Sequence, residues 1–221
     1  MTRTVVIAAA GAGRRLSAES PKCMIKIGDH YILEYLLKAF EQFNEIRMVI
    51  GYKAEIIVKA ASAIRKDIVF INNDSFDKSS GPLQSFYLGS IGLTGKVMYS
   101  VSDVIYSRNS AIRLFNEYTD NDEFVTVTKN ISENPIFANV NNDSFLVQLS
   151  HDITSEFEFA GSAFIDCSKI ENKQSFLFEQ LNNYMPLRVV PIERLEIDTK
   201  RDLMIAEKTV SDFPEQYNFW S

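Results

Sequence analysis

The 221-residue chain is short of the residues that build special-purpose scaffolds. Its two cysteines, Cys23 and Cys167, lie far apart and are too few for a disulfide framework. Six prolines and nine glycines exclude a linker-like or collagen-like composition. The two histidines, His30 and His151, sit in polar turns and belong to no metal-ligand or nucleophile–base pattern. No apolar run is long enough to cross a bilayer and no signal-peptide pattern opens the chain, so no membrane contact and a cytoplasmic location are expected. Positive charge is not in excess: 23 Lys and Arg against 29 Asp and Glu leave −6, which argues against a general grip on nucleic acid. The single tryptophan, Trp220, lies in a tail that reads as a packing contact or a homodimer contact.

What is present concentrates at the N-terminus. Thr4 to Ala10 is a short apolar run with β-branched residues, which reads as a buried strand. It stops at small residues, Ala10-Gly11-Ala12-Gly13, followed by Arg14, Arg15 and, after Pro21, Lys22. A turn without bulky side chains lets an anion approach the backbone N–H groups, and glycine supplies the positive φ such turns require. Converging guanidinium and ammonium groups complete a grip for a polyphosphate. The alternative is a plain turn with solvated arginines. The third glycine of a dinucleotide fingerprint is missing, and so is the Gly-Lys-Ser/Thr ending of a P-loop.

Farther along, amphipathic and apolar segments alternate. Helices are expected over 33–43, 54–64, 83–93 and 111–118, and strands over 46–50, 68–71, 96–101 and 124–127. Such alternation predicts an α/β fold with a mixed, mostly parallel, doubly wound sheet of Rossmann-like type, whose ligands bind beyond the carboxyl ends of the strands. After Lys129 the pattern changes. Segments 136–140 and 145–149 flank Asn141-Asn142-Asp143 as a hairpin, followed by strands at 157–165 and 187–192 and helices at 176–184 and 200–210. The reading is one domain: a half that carries the phosphate-gripping turn (1–129), a small antiparallel insertion (130–192), and a closing segment (193–221).

Strand 96–101 delivers Asp103 at its carboxyl end, where a carboxylate is a natural Mg²⁺ ligand; a turn or cap role is the plainer alternative. Thr199 reads as a helix N-cap with Asp202 as its capping-box partner, which leaves Glu196 and Asp198 without a structural duty. Between the third strand and the next helix, Asn73, Gly81, Gln84 and Ser85 could contact a base and ribose or simply form a loop and cap. Glu158 and Gly161 mark the insertion. Glu156 and Glu158 could meet an amine, although exposed strand carboxylates are the ordinary reading.

The stretch Ala8-Ala9-Ala10-Gly11-Ala12-Gly13-Arg14-Arg15-Leu16, then Pro21-Lys22-Cys23-Met24-Ile25-Lys26-Ile27-Gly28, resembles the signature of the nucleotidyltransferase superfamily, and most closely its small cytidylyltransferases acting on choline phosphate or related acceptors. The late Ile197-Asp198-Thr199-Lys200-Arg201-Asp202-Leu203 resembles that group's Ile-Asp-Thr-x-x-Asp-Leu segment, while before Asp103 Ser102 stands where that group commonly has a glycine. The resemblance implies a nucleotide-diphospho-sugar transferase fold in which Ala10, Gly11, Ala12, Gly13 and Arg14 wrap a nucleoside triphosphate, CTP favoured. It further implies Arg15 and Lys22 as catalytic cations, Asp103 and Asp198 as ligands of a Mg²⁺ cofactor, and Gly81, Ser85, Gln84 and Asn73 around the base and ribose. Glu158 and Gly161 would meet a small phosphorylated acceptor. The Gly-Gly-x-x-Arg-x-x-Ser-Val loop of the methylerythritol-phosphate enzymes is not present; Ser79-Ser80-Gly81-Pro82-Leu83-Gln84-Ser85-Phe86 stands in its place. Sugar-1-phosphate transfer, and a non-catalytic nucleotide sensor, remain the other readings.

Overall fold

Strand β1 (Thr4–Ala9) runs through the middle of the parallel region, paired in parallel with β4 (Glu45–Ile50) on one side and β6 (Lys96–Val101) on the other. The computed structural model describes residues 2–13, 20–78, 81–118 and 122–220. Alternate residues of β1 serve opposite faces, as the two-residue period of a strand requires. Val5 and Ile7 pack with Leu36 of α1 (Ile32–Ala39), Phe40 just beyond it, Ile57 of α2 (Ala54–Ile64) and Leu114 of α4 (Arg108–Glu117). Val6 packs on the other face with Phe86 of α3 (Leu83–Ser90) and Leu177 and Leu181 of α5 (Leu177–Leu181). Helices therefore cover both faces, and β1 can be apolar on both sides.

The full sheet joins nine described strands in the order β5 (Val69–Asn72), β4, β1, β6, β11 (Phe157–Asp166), β8 (Phe124–Lys129), β12 (Leu187–Pro191), β10 (Phe145–Ser150) and β9 (Phe137–Val140). The first four pair in parallel, as do β8 and β12, while β11 runs antiparallel to both β6 and β8. The sheet is thus mixed. Its antiparallel part does not sit beside the parallel part but continues it, because β11 inserts between β6 and β8. Ten residues long and buried over most of its length, β11 can carry a neighbour on each edge. Its register against β8 shifts between Phe159 and Ala163, at a bulge containing Gly161, whose φ is +78°. The β9–β10 hairpin forms around Asn141, whose side-chain oxygen accepts the N–H groups of Asp143 and Phe145.

Two elements begin elsewhere than the sequence pattern indicates. Helix α4 starts at Arg108, because Ser107 is its N-cap, its hydroxyl accepting the N–H of Ser110 at 3.2 Å. Helix α1 ends at Ala39, although Phe40 and Phe43 beyond it stay buried.

A third, smaller layer closes the carboxyl side. Strands β7 (Val104–Tyr106) and β13 (Arg194–Glu196) form an antiparallel ribbon, and β2 (Lys26–Ile27) pairs with β3 (His30–Tyr31). Ile27, Ile105, Leu195 and Ile197 bury together with Ala206 of α6 (Lys200–Asp212) and Tyr217 of α7 (Pro214–Tyr217). The tail ends with Trp220 stacked on His30, ring centroids 3.5 Å apart and planes 5° from parallel. Among the described residues no helix is long and apolar enough to cross a membrane.

Candidate active site

The ribbon explains how two aspartates distant in sequence meet. Asp103 precedes β7 and Asp198 follows β13, and the register pairs Glu196 with Val104. The N–H of Ile197 then donates to the carbonyl of Asp103 at 2.9 Å, so the ribbon continues to the two carboxylates. Lys22 meets them there. Its Nζ donates to Asp103 Oδ2 at 2.9 Å and also to Asp198 Oδ1. The Lys22 side chain is only 12% exposed, and burial alone would lower its pKa; the charges of Asp103 and Asp198 outweigh that and raise it to about 12.

Lys22 opens a short 3₁₀ turn, Lys22–Met24, anchored by the buried Cys23, and its stem crosses the glycine turn that follows β1. Gly13 has φ +59°, and a Cβ there would fall 2.5 Å from Lys22 Cγ. Both the backbone angle and the close approach require glycine. Burial and the nearby charge of Asp103 push the Cys23 thiol up to about 12, so it is an inert packing group at neutral pH.

These residues sit at one end of a cavity of about 580 Å³, within the size range of small-molecule sites. Ala10, Gly11 and Gly13 line it; Ala12 is half-buried and does not, and the carbonyl of Ala10 is taken by the N–H of Tyr52 at 3.0 Å. Arg14 and Arg15 lie outside the described residues. Asn73, Gly81 and Ser85 also line the cavity. Asn73 and Ser85 are buried and bonded to each other, Nδ2 to Oγ at 3.0 Å, while Asn73 Oδ1 accepts the N–H of Ser75. Pro82, Ser85 and Phe86 face the cavity at helical spacing, which turns Gln84 off that face; its enclosed Oε1 has no hydrogen-bond partner among the described residues.

Farther along the same cavity lie Gly161, Phe159, Phe176 and Phe178. His151 joins them, its Nδ1–H donating to the Pro135 carbonyl at 2.9 Å and its ring edge-on to Phe178. Glu158 corrects its sequence reading. It lines the cavity but is not an exposed strand carboxylate, being 1% exposed and engaged by Ser132 and Arg194. Glu156 is exposed and off the cavity wall. Asp202 acts structurally, as its position at the helix start implies, accepting the N–H groups of Thr199 and Asp198.

Sequence reasoning missed Arg194 and left Glu196 unassigned. Both line the cavity on the strand that leads to Asp198, and Arg194-x-Glu196-x-Asp198 has the two-residue spacing of one strand face. Burial raises the Glu196 carboxyl above its ordinary range against the opposing charge of Arg194, and the negative charges of Asp103, Asp198 and Glu158 add to the rise. The aromatic wall gave no local signal, since Phe159 and Phe176 come from separate elements.

A bare glycine turn at the carboxyl edge of a mixed α/β sheet, with a lysine held between two aspartates, belongs to the class of nucleotidyltransferases with the nucleotide-diphospho-sugar transferase fold. The model of the MobA-like NTP transferase domain matches residues 5–154, and the chain is a member of that family. Arg194 and Asp198 lie beyond the matched stretch. Among sequence relatives, the bifunctional protein GlmU of Thermosipho melanesiensis is 24% identical over 131 residues, 59% of this chain but only 28% of that protein. GlmU of Thermosipho africanus is 26% identical over 132 residues, with the same shares. Among solved structures, the inositol-1-phosphate CTP transferase from T. maritima has a TM-score of 0.73 at 17% identity, covering 94% of this chain and 96% of that one. CTP:phosphocholine cytidylyltransferase (LicC) from Streptococcus pneumoniae has a TM-score of 0.73 at 16% identity, covering 94% and 98%. At these identities the shared feature is the fold.

Proposed function

We propose that this nucleotidyltransferase moves CMP from CTP to a small phosphorylated acceptor, such as phosphocholine or a phosphonate, and releases pyrophosphate. The observation that carries the reading is the Lys22 ammonium held between Asp103 and Asp198 over the glycine turn, at one end of a cavity that runs on to an aromatic wall.

A phosphate oxygen of the acceptor attacks the α-phosphorus; a new P–O bond forms there, and the bond from the α-phosphorus to the bridging oxygen breaks, so that pyrophosphate leaves. The attacking phosphate is already an anion, so no protein nucleophile or general base is needed. The protein's work is positioning and charge neutralisation. The N–H groups of Gly11 and Gly13 hold the phosphates, and Lys22, with Arg15, meets the negative charge that develops at the α-phosphoryl group.

Asp103 and Asp198 are the residues that would hold Mg²⁺. Mg²⁺ favours one or two carboxylates, with its other positions left to phosphate oxygens and water. Two converging carboxylates fit that habit, and among the described residues no group of three or more His, Cys, Asp or Glu offers a fuller protein cage. When bound, the ion neutralises charge on the triphosphate.

The preference for CTP is supported by the CTP-using proteins among the structural neighbours. The GlmU matches favour a second acceptor class, a sugar-1-phosphate. Pyrophosphate release measured with each of the four nucleoside triphosphates, against phosphocholine, a phosphonate, inositol-1-phosphate and hexose-1-phosphates, tests both. Turnover with CTP and a small alcohol or amine phosphate is expected. Turnover only with hexose-1-phosphates replaces the acceptor assignment, and tight triphosphate binding without turnover on any pair points to the sensor reading.

A further inference from the structure

Among the described residues that line this cavity, Arg194 is a cationic side chain that the transfer step does not use. Only 4% of its side chain is exposed, yet it lies between two carboxylates from different parts of the chain. Nη1 forms an ion pair with Glu196 Oε2 at 2.7 Å, on the strand that leads to Asp198. Nη2 donates to the carbonyl of Phe159 at 3.1 Å and lies 3.6 Å from Glu158 Oε1, both on β11. Its enclosed Nε has no hydrogen-bond partner among the described residues.

Glu158 is the second link. Its Oε1 accepts the hydroxyl of Ser132 at 2.7 Å, and its Oε2 accepts the Ser132 N–H at 3.3 Å. Ser132 lies in the segment 131–136, every residue of which lines the cavity. That segment has few other ties: the N–H of Phe159 donates to the Ile136 carbonyl, His151 bonds the Pro135 carbonyl, and an exposed ion pair joins Glu133 to Arg201. The exposed pair is screened by water and contributes little. The buried one depends on Arg194, since without the guanidinium Glu158, 1% exposed, would be an enclosed carboxylate lacking its cation.

We propose that Arg194 is a positioning residue for the acceptor. Through Glu158 and Ser132 it ties the wall formed by 131–136 to the strand on which Arg194 itself stands and which leads to Asp198, so the acceptor is held in register with the triphosphate. The inference rests on the transferase reading above and adds a selectivity that reading does not require. Loss of Arg194 weakens use of the acceptor while leaving the triphosphate grip at Gly13 and Lys22 in place.

The test compares Arg194→Met, Arg194→Lys, Glu158→Gln and Ser132→Ala with the wild type. It measures KM for the acceptor and for CTP, CTP binding by calorimetry, and amide hydrogen exchange over 131–136. Arg194→Met should raise the acceptor KM by about ten- to a hundredfold and leave CTP binding within about threefold. Ser132→Ala, which cuts one bond on the loop side, should raise the acceptor KM by about three- to tenfold. Arg194→Lys keeps the charge but cannot span both carboxylates, and should recover only part of the loss. Exchange over 131–136 should quicken in all four variants. Equal loss of acceptor and CTP affinity, or unchanged exchange over 131–136 in folded variants, overturns the proposal. Should Arg194→Met fail to fold, Ser132→Ala and Glu158→Gln decide by the same criteria. Should the wild type turn over no pair, the transferase reading fails separately, and loop exchange alone decides the role of Arg194.

Discussion

A Cβ placed on Gly13 would lie 2.5 Å from Cγ of Lys22, so the turn after the first strand is bare in order to let the lysine stem pass. Gly13→Ala combines that clash with a φ of +59°, which alone costs about 1 kcal/mol for a side chain other than glycine. Displaced by an ångström, the ammonium no longer meets the transferring phosphoryl group, and kcat should fall by about a hundredfold. Melting temperature and steady-state rates measured together check this. A melting point lowered by a few degrees with near-normal kcat would show that the lysine does not need the bare turn.

The ammonium of Lys22 is also a stability element. Its pKa is raised from 10.5 to about 12 by the two aspartates, so the folded state holds its proton more tightly than the unfolded chain does. The contribution, on the order of 2 kcal/mol, is fully present below pH 10.5 and is lost as pH rises toward 12. Urea unfolding of wild type and Lys22→Met between pH 9 and 12 should show a gap that is flat at first and then closes. Cys23 titrates in the same interval in both proteins and cancels in the difference.

Gly81 is constrained by packing. A Cβ on it would fall 2.4 Å from the Ser175 carbonyl oxygen, the same oxygen that accepts the Leu83 N–H at 3.2 Å. Gly81→Ala should therefore separate the start of α3 from the approach to α5 and cost about 1–3 kcal/mol, read by denaturant titration. Unchanged stability would mean that the two segments yield freely.

The thiols should differ sharply. Cys23 is 1% exposed with its pKa pushed up to about 12, whereas Cys167 is partly exposed and raised less. Ellman's reagent at pH 8 should titrate Cys167 alone in the folded protein, and both thiols in urea. Two thiols reacting at one rate without denaturant would place Cys23 outside the core.

Legibility in the sequence followed the range of the interaction. The β1 strand, its glycine turn, the capping box of Thr199 and Asp202, and the placement of Asp103 at a strand's carboxyl end are local patterns, and each is visible within a few residues. The position of β11 between β6 and β8 is not, because strand order depends on pairing across the whole chain. The pairing of Glu158 with Arg194 is hidden for the same reason: in isolation Glu158 has the look of an exposed strand acid, and only the folded ribbon puts a guanidinium over it. Asp103 and Asp198 were paired through resemblance to a family, and the three-residue strands that join them are too short to announce themselves.

The most direct measurement is pyrophosphate release from CTP and a phosphorylated acceptor as Mg²⁺ is titrated, in wild type, Asp103→Asn and Asp198→Asn. Wild-type turnover should rise to saturation with Mg²⁺ and fall to background in EDTA. Each variant should lose at least about a hundredfold in rate while remaining folded, its melting point lowered only by the lost share of the Lys22 ion pair. Near-normal turnover by either variant at the wild type's Mg²⁺ requirement would contradict a shared role for these two carboxylates.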